Sequence, residues 1–248
     1  LPGSDGLGHV GAMKMISDGS LNTRSAFCSM PYSDIFPDFY GTLSYAPDQI
    51  EAYFHVATCH GFAITCHAIG DEANTIVLNA AASTHAHIEH AQMLKPADIP
   101  RFAKLGLTAS IQPQHAMDDR DVITRFWANP GGIPYAFKAL HDAGVRLRMG
   151  SDAPVAPLDP WMAISAAVFG TESSDREPFQ PEQCLDARTA LAASTAVGRD
   201  RPEPGDPADL VLLDRDPYAV STPEEMRAMP VAATMLAGRW TYSSLHGE

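Results

Sequence analysis

The sequence predicts an α/β protein built on a parallel sheet, and three observations predict it. Short apolar strands alternate with amphipathic helices from Ala12 to Ala193. The returns from helix to strand are brief and carry glycine, at Gly61, Gly106 and Gly144. Residues able to bind a metal or move a proton recur where the strands stop.

The elements follow in order. Ala12 to Ser17 is an apolar strand carrying Lys14, and an irregular stretch rich in Pro, Tyr and Phe runs on to Tyr45. Pro47 to His60 is a helix with Ile50, Tyr53, Phe54 and Ala57 on one face. Phe62 to Cys66 is a buried strand with His67 at its end, and Asp71 to Ala82 is a helix. Ala86 to Glu89 is a strand that closes on His90. Pro96 to Leu105 is a helix begun by proline. Leu107 to Gln112 is a strand leading to Pro113, Gln114 and His115, and the segment Asp118 to Gly132 is a loop with a short helix. Ile133 to Ala143 is a helix, and Val145 to Gly150 is a strand in which Val145, Leu147 and Met149 alternate with Arg146 and Arg148. Pro160 to Phe169 and Pro181 to Ala193 are further helices.

Strand-helix repetition of this kind gives a parallel sheet with right-handed crossovers. The strands end at Lys14, His67, His90, Gln112 and Asp152. A closed barrel of this class takes about eight strands, so the residues alone leave an open sheet or part of a barrel. After Arg201 the texture changes: Pro202 to Pro207 is rich in Pro, Gly and acid, Ala208 to Asp214 is a strand, and Val231 to Leu236 with Arg239 to Ser243 form a hairpin. The expected domains are therefore 1–201 and 202–248.

The totals bound the function. A length of 248 residues with 45% hydrophobic content supports a large core. A formal net charge of -13 argues against nucleic acid or an anionic membrane as partner. No run of about 18 apolar residues predicts a membrane span, and no signal peptide is visible. Cys28, Cys59, Cys66 and Cys184 form no Cys-x-x-Cys pair, which suits a reducing compartment. The expected location is the cytoplasm. The chain starts at Leu1 rather than Met, so an upstream stretch is expected to be missing, and a leader within it stays open.

His67, His90 and Asp152 each end a different strand, and the ends of parallel strands converge on one face. Two imidazoles and a carboxylate there suit a divalent transition metal such as zinc. Singly, each has a plainer role: a rim histidine, or for Asp152 a turn residue or helix cap. Lys14 adds a fourth. A lysine inside an apolar strand either snorkels, pairs with Asp18 or Asp152, or is left a neutral amine able to form a carbamate. Glu89 and Cys66 precede the histidines and are expected to face away from the site. Asp71 is a helix cap or an orienter of His67.

The chain resembles the amidohydrolase superfamily, in its YtcJ-like branch (amidohydrolase family 3). The stretches that carry the resemblance are Lys14-Met-Ile-Ser-Asp-Gly-Ser-Leu-Asn-Thr-Arg-Ser-Ala, His67-Ala-Ile-Gly-Asp-Glu-Ala-Asn, His87-Ile-Glu-His-Ala-Gln, Ser110-Ile-Gln-Pro-Gln-His-Ala-Met-Asp-Asp, Gly150-Ser-Asp-Ala-Pro-Val and Ala208-Asp-Leu-Val-Leu-Leu-Asp. The resemblance implies a distorted (β/α)8 barrel of the TIM type with a small β-sandwich, and hydrolysis of a C–N bond in a small-molecule substrate. By position it implies that His67 and His90 are the metal ligands of strands five and six. Asp152 becomes the strand-eight aspartate, ligand and general base, and Lys14 the carbamylated lysine of strand four. Arg24, Gln112 and His115 become pocket residues that orient substrate. One or two Zn2+ ions are implied.

One departure is large. The His-x-His pair of the family's first strand does not precede Lys14. The strands present match four to eight, so the expectation is a partial barrel that keeps ligands for one metal of two. Two partner arrangements follow: a missing N-terminal segment that completes the barrel, or a homo-oligomer. The competing expectation is a non-catalytic fragment or subunit that needs another chain. A nucleotide-binding sheet is disfavoured, since no glycine-rich phosphate loop follows a strand.

Overall fold

The computed structural model describes residues 11–126 and 131–245. The expectations on the chain's first ten residues, on the end of the Asp118 to Gly132 segment and on the last three residues lie outside the described residues. By packing, the described residues fall into two compact units. The first takes the residues up to Ile111 and Asp118–Leu147; the second takes Gln112–Met117 and the residues from Arg148 on.

Strands and helices alternate as β1 (Met13–Ile16), α1 (Pro47–Cys59), β2 (Ile64–Ala68), α2 (Asp71–Ala80), β3 (Ala86–His90), β4 (Met93–Leu94), α3 (Ile99–Lys104), β5 (Thr108–Ile111), α4 (Pro113–Phe126), β6 (Ile133–Pro134), α5 (Phe137–Asp142) and β7 (Arg146–Met149). The parallel five-stranded sheet runs β1-β2-β3-β5-β7 and is not closed into a barrel. Asp118 to Phe126, read from sequence as mostly loop, continues the helix α4. Its run Asp118-Asp119-Arg120-Asp121 is too polar to signal a buried face, so the periodicity was hidden. Ile133 and Pro134, read as helix, instead pair antiparallel with β4.

The register shows how the sheet splits its side chains. Met15, Cys66, Ile88 and Ala109 lie level on adjacent strands, and all four are buried. This is the core face, with Ile50, Phe54 and Ala57 of α1 and Val77 and Leu78 of α2 also buried. On the other face Lys14 is level with Thr65 and His87, and Ile16 with His67 and Glu89. Lys14 is exposed, and so is Ile16 at 51%. Behind the sheet, Gly106 (φ 66°) and Gly144 (φ 79°) take left-handed backbone just past α3 and α5. Their neighbours Leu107 and Val145 donate back to Phe102 and Leu140, which reverses helix into strand within one residue.

The second unit contains α6 (Pro160–Phe169), α7 (Ala187–Ser194), β8 (Leu210–Leu213), α8 (Pro223–Arg227), β9 (Val231–Leu236) and β10 (Arg239–Ser243). Asp159 caps α6 through Trp161 N at 2.9 Å, and Asp186 caps α7 through Thr189 N at 2.9 Å. The helix read over Pro181 to Ala193 divides at Cys184 into a 3-10 turn and α7. β10, β9 and β8 form an antiparallel sheet in that order. The texture change near Arg201 falls inside this unit. No helix among the described residues is long and apolar enough to cross a membrane.

Candidate metal centre

In the first unit the site is built at the C-terminal ends of β1, β2 and β3. His67 is the fourth residue of β2, on the open face of the sheet, and its side chain is 14% exposed. Its Nε2 lies 3.0 Å from the Gly19 carbonyl oxygen and 3.4 Å from Asp18 Oδ1. Both neighbours are acceptors, so Nε2 carries the hydrogen. With the hydrogen on Nε2, Nδ1 is the nitrogen left to offer a lone pair to a metal.

His90 reaches His67 by a different route. It is level with Ala68, so strand alternation alone would turn it to the core face with Ala68. Backbone φ values of 72° at His90 and 46° at Ala91 break the alternation. The His90 ring lies 4.5 Å from the His67 ring, edge-on at 70°, and the residue is buried. Left-handed backbone in consecutive non-glycine residues is costly and is found where function demands it. Glu89, expected to face away, is level with His67 on the open face instead. Cys66 does face the core, and burial pushes its thiol up to about 12, so it is a poor ligand.

Asp18, read from sequence only as a possible partner of Lys14, is buried. Its carboxylate accepts from Phe27 N (2.9 Å), Ile69 N (3.1 Å) and Gly70 N (2.8 Å). Asp71, read as cap or orienter of His67, is the first residue of α2 and does neither. It accepts from Ser29 N at 2.9 Å and from the Ser29 hydroxyl. Lys14 is the second residue of β1 rather than its end, one register step short of His67 on the same face. Arg24 contacts Asp34 (Nη2 to Oδ2, 3.1 Å) and stacks over the Phe126 ring at 3.9 Å.

In the second unit, Gln112 and His115 are buried at the start of α4, where His115 N donates to Gln112 O at 3.0 Å. Asp152 is exposed, with φ 56° in the turn after β7. A ring nitrogen of His115 and a carboxylate oxygen of Asp152 lie within 4.8 Å of each other. Sequence reasoning gave His115 to substrate; its nearness to Asp152 makes it a ligand candidate. The signal was available in Gln-Pro-Gln-His, where proline at the first helical position puts His115 on the first turn beside the strand end.

A sequence profile of the amidohydrolase family matches residues 2–242. The chain belongs to this family. It is 29% identical over 250 residues to YtcJ of Bacillus subtilis (strain 168), covering 94% of this chain and 47% of that protein. It is 28% identical over 222 residues to an N-substituted formamide deformylase of Arthrobacter pascens, covering 82% of this chain and 40% of that one. A solved metal-dependent hydrolase from Pyrococcus horikoshii OT3 superposes with a TM-score of 0.75 at 29% identity, covering 85% of this chain and 46% of its own. The chain thus spans less than half the length of each of these relatives. The donors fit the divalent cation that such hydrolases use: imidazoles screened from water, one with its tautomer set, and a carboxylate beside a further imidazole.

Proposed function

We propose that this chain carries the C-terminal part of a metal-dependent hydrolase that cleaves an amide-type C–N bond in a small molecule, with zinc as the ion. The observation that carries the reading is the His67–His90 pair, held ring against ring by backbone that strand geometry does not favour. By the family's ligand positions His67, His90 and Asp152 hold the ion, and His115, within 4.8 Å of Asp152, is a further ligand candidate. The formamide deformylase among the relatives supports a C–N bond as the target. Bound there, a divalent cation supplies Lewis acidity to a carbonyl oxygen and makes water more acidic.

The chain's own residues supply the rest. Asp152 takes the proton of the attacking water and delivers it to the leaving nitrogen. Gln112 orients the substrate carbonyl. Arg24 is engaged with Asp34 and Phe126, so it shapes the Phe126 side of the loop and contacts substrate only if that pair opens. Lys14, exposed at the sheet edge, enters the ligand set, as a carbamate, only once its face is covered.

One observation favours a second reading, a subunit that works only with the remaining strands supplied. Lys14 and Ile16 stand exposed on an open sheet face at the β1 edge. The test is metal analysis of the purified chain, followed by hydrolysis of a panel of N-formyl and N-acyl amines. We expect about one tightly held transition-metal ion per chain, lost in the His67→Ala variant. Turnover of an amide that disappears in Asp152→Asn, with the circular dichroism unchanged, supports the enzyme reading. Bound metal without turnover supports the subunit reading. A chain that holds no metal after exchange against zinc overturns both.

A further inference from the structure

We infer that Asp18 is a positioning residue for His67: it anchors the turn whose Gly19 carbonyl accepts from Nε2, adds its own carboxylate beside that nitrogen, and so aims the Nδ1 lone pair at the metal. The inference rests on the proposed metal role of His67 and extends it to a residue that touches neither ion nor substrate.

Asp18 is a tightly held charge. Its side chain is fully buried and follows directly from β1. Three backbone N–H groups from two distant segments point at it: Phe27 from the long loop, and Ile69 and Gly70 from the turn between β2 and α2. Those donors fix the carboxylate before His67 is considered. They also satisfy most of its lone pairs. Oδ1, which also takes the Ser17 hydroxyl at 3.4 Å, lies 3.4 Å from His67 Nε2, and the Gly19 carbonyl accepts from that nitrogen at 3.0 Å. Gly19 is the next residue in the chain, so a single turn delivers both acceptors to one ring nitrogen.

The arrangement is stiff because its parts interlock. Ser17 Oγ donates to the His67 carbonyl at 2.6 Å, and Ser17 N donates to the same oxygen at 3.0 Å. Gly19 has no room for a side chain: a β-carbon there would meet Ser25 Oγ at 1.9 Å. The run Ser17-Asp18-Gly19 thus grips His67 by its backbone and by its ring. A carboxylate behind a metal-binding histidine fixes the tautomer and raises its basicity, and losing such a partner typically costs about ten- to a hundredfold in metal affinity.

The test uses nitrogen-15 NMR of the ring in the metal-free protein, together with zinc affinity measured by competition with a chelator. The native chain should show His67 as the Nε2–H tautomer. Asp18→Asn keeps the shape and an acceptor but loses the charge. It should yield a mixed tautomer population, with zinc affinity reduced about ten- to a hundredfold. If the Asn chain does not fold, Asp18→Glu carries the test, because one added methylene moves the charge off Nε2 and both readouts must shift. A native ring with hydrogen on Nδ1, or a folded variant that keeps the native tautomer and affinity, overturns the inference. The tautomer is read without metal. A chain that shows the tautomer change yet binds no zinc therefore leaves Asp18 in its positioning role and removes the metal reading alone.

Discussion

Two buried carboxylates of the first unit are held differently from a group of acids nearer the surface in the second. The first buries carboxylates and binds them to backbone: Asp18 to Phe27, Ile69 and Gly70, and Asp71 to Ser29. The second pairs Asp206 and Asp200, nearer the surface, with arginine, and holds Glu224 through one serine. Arg199 meets Asp206 at 2.5 Å, Arg188 meets Asp200, and Glu224 accepts from Ser174 N and Oγ at 2.6 and 2.7 Å. The difference follows from what each must hold. Loops that carry the proposed metal ligand His67 need donors that cannot swing away, and backbone N–H groups in a closed turn meet that need. Surface pairs only restrain segments, and water competes with them.

The contrast can be broken most readily at Asp71. Removing it in Asp71→Ala leaves Ser29 N without its acceptor in a dry setting, and should cost about 2–3 kcal/mol in urea unfolding. A loss under about 0.5 kcal/mol would mean that water replaces the carboxylate and that the first unit is no more tightly built than the second. A smaller effect, visible only in acid, is expected at Glu224. The Ser174 N–H and hydroxyl hold its carboxyl down at about 2, from an ordinary value of 4.5. A depressed pKa adds stability in full above about 4.5, which is lost as pH falls toward 2. Glu224→Gln should therefore flatten the acid limb of the thermal midpoint between pH 5 and 2, with little change at pH 7. An unchanged acid limb would place the proton uptake elsewhere. The smallest effect is expected at Arg188, largely exposed opposite Asp200. Arg188→Ala should cost about 0.2–1 kcal/mol, and less as salt is raised. A larger, salt-insensitive loss would show that its stacking over Tyr218 at 4.9 Å matters more than its charge.

Much of this protein was legible along the chain. The alternation of Ala86 to Glu89 and the proline start of Pro160 to Phe169 mark elements that the structure retains. The hairpin of Val231 to Leu236 with Arg239 to Ser243 keeps its expected bounds. Two kinds of feature were hidden. Short segments such as Met93–Leu94 and Ile133–Pro134 become strands only by finding each other, and two residues carry no period. The bare alternation rule also misled at Glu89 and His90, because it assumes regular backbone, and the backbone reverses hand at His90.

Local pattern alone determined the strand-helix order, the family motifs and the identity of His67, His90 and Asp152 as candidate ligands, because those depend on residue type and spacing. Only the folded chain decided which nitrogen His67 offers, which face His90 takes, and that Asp18 stands behind them. Those answers depend on the Ile69 and Gly70 amides, separated from Asp18 by 51 and 52 residues and brought to it at 3.1 and 2.8 Å by the pairing of β1 with β2. A hydrogen bond across that separation leaves no trace in composition or period, since its energy belongs to the sheet that closes the loop.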